Sequence, residues 1–299
     1  MASLRDIRKH ISSVKSIKQI TYAMKMVAAA RIKRAQNSIL AARPFAIEMD
    51  RLIEDLYCEL GEEDLSGTPA RELFEERPAG GPLCLVLITA DKGLCGSFNT
   101  NLLKTAAAWL KENRGRKLRV IAVGRKGRDF LRRLKGLDLE VAYELVGIFP
   151  KAAYMHAQLL ADEILKLYAG SSVESVTLVY NEFKSMMAQR IVSDRLLPLK
   201  THIACAGKTR PSGVDFSFEP GKKELLGELL PRHICAQLYR TLLESQAAEL
   251  AARMNAMEAA SKNATELIEG LTLKMNKTRQ AMITTELNEI VSGSEAQGG

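Results

Sequence analysis

Apolar positions at the two ends of this chain recur every three or four residues, whereas in the middle they come as short continuous runs. Ser3-Leu-Arg-Asp6 has the form of a capping box with Asp in place of Glu, and it opens a helical stripe at Leu4, Ile7, Ile11 and Val14. The stripe then slips through Ile17 to Ile20, Met24 and Val27, and resumes at Ala28, Ile32, Ala35, Ile39 and Ala42. A slip of this kind locally overwinds or unwinds a coiled coil, so one uniform supercoil is not expected here. Pro44 is expected to bend the helix, which continues to about Leu60.

The other end is more regular. Leu243, Ala247, Leu250, Met254, Met257, Ser261, Ala264, Ile268, Leu271, Met275, Thr278 and Met282 alternate steps of four and three, an a/d seam over about six heptads. Glu249/Arg253 and Glu258/Lys262 add i,i+4 pairs in the favoured order, and Gly293 suits a C-cap. Pro231 marks a kink or a restart nearer the beginning of this helix. At ~1.5 Å per residue, about 60 residues make a rod of roughly 90 Å, too long to fold back into a domain of this size. The small residues and Met of the seam allow close approach without demanding one geometry, and the simplest partner is the N-terminal helix of the same chain.

Between the ends, Leu83–Thr89 and Leu118–Val123 read as buried strands, each followed by a helical stretch, Thr100–Asn113 and Gly127–Leu134. A strand near Leu139–Val146, a helix over Ala152–Tyr168 and strands over Ser175–Glu182 and Arg190–Pro198 complete the alternation. Such order points to an α/β layer with a largely parallel sheet. The fold class is therefore α+α/β: a long antiparallel coiled coil of N- and C-terminal helices with an inserted Rossmann-like α/β domain. Its parts are an N-terminal shaft helix over 1–60, a polar Gly/Pro-rich linker over 61–81, the α/β domain over 82–221, and the C-terminal shaft helix with a short tail over 222–299.

Charge sharpens this picture. Residues 1–40 hold nine Lys/Arg against one acid, Asp6, a net +8 that equals the charge of the whole chain. The strip is either a solvated helix face or a surface for an acidic partner. It imitates a mitochondrial targeting peptide, but its apolar pattern runs unbroken into a longer helix, so it is expected to be mature protein. The longest apolar run, Cys84–Ile88, is far short of the roughly 18 residues that span a bilayer. Five scattered Cys with no CxxC pair argue for a reducing compartment and against a disulfide framework or zinc site, and the four His show no metal-binding spacing.

Two glycine-rich turns follow strands, where phosphate loops occur. Asp91-Lys-Gly-Leu-Cys-Gly-Ser97 matches neither GxxxxGK[ST] nor GxGxxG, and it is expected to be a tight turn with Ser97 or Asn99 capping the next helix. Gly124-Arg-Lys-Gly-Arg128 is explained equally well by a solvent-exposed βα turn, and Cys95 by packing within its own. No catalytic constellation, metal set or cofactor motif emerges.

Several long stretches carry a resemblance. Leu4-Arg-Asp-Ile-Arg-Lys9 with Ile20 through Ala30, Ile88 through Asn99, Ala251 through Ala264 and Asn276 through Gly293 are similar to the gamma subunits of F-type ATP synthases. The resemblance implies a non-catalytic rotor shaft that needs no cofactor and turns in one copy inside an alpha/beta hexamer. It would hold the epsilon subunit and dock on the c-ring, at the cytoplasmic face of a bacterial plasma membrane. It also implies that Met24 and Lys25 face acidic loops of beta subunits, that Arg279, Gln280, Thr284 and Glu286 contact a closing beta subunit, and that Arg253 is a cation lower on the same helix. Asp215, Phe216, Phe218 and Glu219 resemble, more loosely, the loop that meets the c-ring. The closely spaced Cys pair of chloroplast versions has no match, so no thiol regulation is expected. The alternative kept open is a basic coiled coil binding nucleic acid, which leaves the α/β domain unexplained; a nucleotide-using enzyme lacks its phosphate loop.

Overall fold

The computed structural model describes residues 3–64, 68–134, 136, 138–170, 173–199, 219 and 221–297. In chain order the elements are α1 (Leu4–Asp64), α2 (Pro69–Glu72), β1 (Leu83–Ile88), α3 (Phe98–Glu112), β2 (Leu118–Val123), α4 (Arg125–Leu131), β3 (Leu139–Leu145), α5 (Tyr154–Ala169), β4 (Ser175–Phe183), β5 (Gln189–Leu197) and α6 (Lys222–Gln297). Two compact units result: residues 1–29 with 253–299, and residues 30–252, so α1 and α6 each contribute to both.

The larger unit is built on a five-stranded sheet of order β3-β2-β1-β4-β5. β1 pairs in parallel with β2 and β4, β2 with β3, and only β5 runs antiparallel, on β4. Every residue of β1 is buried because both faces of the sheet are covered, which is why the strand is a continuous apolar run. Its period of two sorts the core. Cys84, Val86 and Ile88 join Met49, Ile53, Leu56 and Leu60 of α1, Leu160 and Ile164 of α5, and Leu230, Ile234 and Leu238 of α6. Leu83, Leu85 and Leu87 face the other way, onto Phe98, Leu102, Ala106 and Leu110 of α3.

In the smaller unit the expected capping box is present: Asp6 N–H donates to Ser3 Oγ at 3.2 Å, and Ser3 N–H to Asp6 Oδ2 at 3.2 Å. Ile7, Ile11, Val14, Thr21 and Ala28 are buried, and Leu4, Lys18 and Lys25 half-buried. These eight positions hold strict three-four spacing, so the expected slip does not occur. The seam passes through Lys18, Thr21 and Lys25, while Ile17 and Ile20, assigned to it from their hydrophobicity, are 52% and 60% exposed. Lys can occupy a seam because its methylene stem packs while the ammonium reaches water. On α6 the seam assignment holds as far as Thr278: Met257 and Ala264 are buried and Met254, Ser261, Ile268, Leu271, Met275 and Thr278 half-buried, whereas Met282, expected to continue it, is 46% exposed.

Other expectations need correction. α6 runs unbroken through both Pro231 and Gly293, so the helix neither restarts at the first nor is capped at the second, and α1 continues through Pro44 to Asp64, past the expected end near Leu60. Within 61–81 a few residues are anchored: Ala70 and Leu73 are buried, Leu199 N–H donates to Leu73 O at 2.7 Å, and the Arg77 guanidinium lies 3.8 Å above the Tyr168 ring, while Arg71, Glu72, Glu75, Glu76 and Pro78 to Gly80 are exposed. Its Gly/Pro content made it read as an excursion, but its few apolar residues are enough to pin it to the core. Cys58 is disulfide-bonded, against the expectation of thiols throughout; Cys84, Cys95 and Cys235 are buried and free, and burial pushes Cys84 up to about 12.

Candidate partner-binding surface

Exposed positive charge and uncovered apolar surface collect in the smaller unit. Of its basic residues, Arg5, Arg8, Lys9 and Lys15 are exposed, and Lys18 and Lys25 are half-buried along the seam. Ile17, Ile20, Met24 and Val27 keep helical spacing one position away from the seam, and all but the half-buried Met24 are exposed. Tyr22 and Met26 add to this outward apolar face. An apolar stripe left uncovered on a helix is a candidate contact surface.

Lys25 has a partner within the chain. Its Nζ lies 2.6 Å from Glu258 Oε1 on α6, with the lysine side chain 28% and the glutamate 58% exposed. Arg253 is half-buried about one turn and a half before Glu258 on that helix.

Past Met282 the character of α6 changes. Positions that would continue the seam become polar, Thr285, Glu289 and Ser292, and every residue from Ala281 to Ser294 is exposed. Apolar residues move to another face, with Ile283, Leu287, Ile290 and Val291 all about half or more exposed. Arg279, Gln280, Thr284 and Glu286 lie beside this stripe, all exposed, and the Thr284 hydroxyl donates to Gln280 O at 3.0 Å. The stripe itself was missed from the sequence. Its signal was there, in the polar substitutions at the seam positions after Met282.

Glu219 is exposed, and Asp215, Phe216 and Phe218 lie outside the described residues. In the α/β domain, Ser97 makes no capping bond; Asn99 instead accepts from Ala90 N–H at 3.0 Å and donates to Cys95 Sγ at 3.1 Å, tying the loop to itself. Among the described residues no group of three His, Cys, Asp or Glu side chains could hold a metal. Among the described residues, cavities open within the larger unit. An apolar one of about 410 Å3 includes Phe45, Tyr154, Tyr239 and Leu243 in its walls, and a more polar one of about 370 Å3 includes Asp50, Tyr180 and His233.

The chain matches one family over nearly its whole length. The family model described as ATP synthase covers residues 3–297. The ATP synthase gamma chain of Elusimicrobium minutum is 46% identical, with 99% of each chain covered. That of Anaeromyxobacter sp. (strain K) is 43% identical, again over 99% of each. The chain belongs to the ATP synthase gamma-chain family. Gamma chains are subunits of an enzyme complex, and solved structures agree in fold. The likeness to a chain of the Tetrahymena thermophila mitochondrial ATP synthase central stalk and c-ring has a TM-score of 0.60 at 26% identity, covering 81% of this chain and 99% of that one. For a chain of the Euglena gracilis mitochondrial ATP synthase OSCP/F1/c-ring assembly the TM-score is 0.67 at 21% identity, over 98% and 94%.

Proposed function

We propose that this gamma chain is the central rotor shaft of a bacterial F-type ATP synthase, coupling ion-driven rotation of the c-ring to ATP synthesis or hydrolysis at the alpha/beta hexamer. It acts in one copy and carries no catalytic residue of its own. The bare end of α6 carries this reading. Fourteen consecutive exposed residues, Ala281 to Ser294, present an apolar stripe with Arg279 and Gln280 at its base, which suits a sleeve that encloses the tip. The outward face of α1, with Met24 and its surrounding cations, suits the acidic loops of beta subunits, and Arg253, Thr284 and Glu286 are the further contacts proposed on α6. A rigid body of unequal faces inside a ring biases each surrounding site differently as it turns, which is what coupling requires.

The α/β domain then lies outside the hexamer, where it meets the epsilon subunit and the c-ring; Asp215, Phe216, Phe218 and Glu219 are the residues proposed for the ring. Among the described residues no helix is long and apolar enough to cross a membrane. The complex holds the chain at the cytoplasmic face of the plasma membrane as a peripheral component.

Reconstitution tests this function. Mixing the chain with separately purified alpha and beta subunits is expected to give a stable complex with one copy of it and ATP hydrolysis that depends on it. A chain that neither joins the hexamer nor alters hydrolysis sinks the rotor reading, and salt-sensitive binding to DNA would then support the nucleic-acid alternative.

A further inference from the structure

At the C-terminal ends of β1, β2 and β3 the chain closes around one buried carboxylate. Asp91, 8% exposed, follows β1. Its Oδ1 accepts from Arg125 N–H at 3.0 Å and Gly147 N–H at 2.8 Å, and its Oδ2 from Phe149 N–H at 3.0 Å. All three donors are backbone amides, and they come from two separate connections, the one after β2 and the one after β3.

The surrounding backbone is shaped to bring those amides in. Thr89 Oγ1 accepts from Gly127 N–H at 2.7 Å and donates to Val123 O at 3.1 Å, which draws the turn after β2 onto the end of β1. Gly124 has φ +88°, and a Cβ there would stand 2.1 Å from Thr89 O, so the approach is possible only for glycine.

In doubly wound α/β sheets, ligands sit outside the carboxyl ends of the parallel strands, and convergent backbone amides hold their anionic groups. Here the amides converge beyond the same ends of β1, β2 and β3, to one side of the switch point between β1 and β4, on a side chain of the same molecule. We propose that Asp91 is an internal anion filling this cradle of backbone amides, so that the cradle is closed to free anions by self-occupation, and that removing this side chain leaves a site for a small free carboxylate. The inference concerns the α/β domain alone and is independent of the rotor reading. It also gives the Asp91-Lys-Gly-Leu-Cys-Gly-Ser97 motif a physical purpose: its first residue supplies the ligand, and the rest of the loop turns the chain so that the carboxylate points inward.

The test uses the full chain with Asp91→Gly, which deletes the equivalent of one acetate. Thermal unfolding is followed at neutral pH in sodium acetate and in sodium chloride of equal ionic strength. The variant is expected to melt below the wild type in chloride and to recover with a saturable dependence on acetate. Wild type and Asp91→Asn, whose amide still fills the space, are expected not to respond. Acetate that raises the Asp91→Gly midpoint no more than it raises the wild type's overturns the proposal. Should Asp91→Gly fail to fold, hydrogen exchange on Asp91→Asn decides. Exchange at Gly147 and Phe149 is expected to accelerate at least about tenfold with Leu85 and Val120 unchanged, and unchanged protection at Gly147 and Phe149 overturns it.

Discussion

Lys25 Nζ lies 2.6 Å from Glu258 Oε1, across the seam between the N-terminal turns of α1 and the middle of α6. The resemblance to gamma subunits assigns Lys25 to the acidic loops of a surrounding ring, yet in the isolated chain that cation already has an acidic neighbour. With Glu258 58% exposed, solvent screens the pair. A double-mutant cycle with Lys25→Met and Glu258→Gln, read by thermal unfolding, is expected to give a coupling of about 0.5 kcal/mol, fading in high salt. A coupling several times larger would mean that Lys25 is held inward and is unavailable to a partner.

The seam's phase makes a sharper prediction. Ile11 is buried and Ile20 is 60% exposed, although both are the same residue on the same helix. Ile11→Ala is expected to cost about 2–3 kcal/mol, from lost burial and the cavity left behind. Ile20→Ala is expected to cost less than about 0.5 kcal/mol in the free chain, while weakening assembly with the alpha/beta hexamer. Helical melting of each variant and titration into the hexamer separate the two effects. Equal destabilisation by both would restore the slipped seam.

These cases show what the sequence made legible and where it misled. Buried strands with both faces covered announce themselves as apolar runs, so β1 and β2 were placed almost to the residue. The α6 seam was equally plain, because steps of four and three persist over many turns. On α1 the error came from ranking by hydrophobicity: Ile17 and Ile20 outrank Lys18 and Thr21, yet only the polar pair keeps Val14 and Ala28 in one register. Register is a property of the whole helix and overrides the preference of single positions. Asp91 was opaque for a related reason. A charged residue among glycines reads as solvent-facing, and nothing local shows that Gly147 and Phe149, more than fifty residues away, return to bind it.

Two glycines are expected to respond in opposite directions to the same change. Gly124 sits at φ +88° with Thr89 O in the space of any Cβ, so Gly124→Ala adds backbone strain to a direct clash and is expected to cost about 3 kcal/mol or more. Gly270, in α6, has nothing within 4 Å of an added Cβ. Gly270→Ala is expected to stabilise by roughly 0.5–1 kcal/mol through helix propensity and a less flexible unfolded chain. Chemical denaturation of both variants checks the pair.

Acid should lower the stability of the larger unit in two separable steps. Burial holds His233 below its ordinary value of 6.5, although the Asp50 carboxylate beside it pulls the other way. A depressed histidine resists protonation in the folded state. Its contribution is therefore complete above pH 6.5 and lost as pH falls through the lower folded value. Glu174 acts further down. Burial pushes its carboxyl up, but the Arg116 guanidinium and the Gly80 and Gly81 amides outweigh this and leave it below its ordinary 4.5, so its contribution is complete above that pH and lost below it. Stability measured by denaturant midpoint across this range is expected to fall in the wild type first below pH 6.5 and again below 4.5. His233→Gln should remove the first decline and Glu174→Gln the second, each leaving the other in place. If His233→Gln instead steepens the first decline, the Asp50 carboxylate governs that histidine more than burial does, and the sign assigned here is wrong.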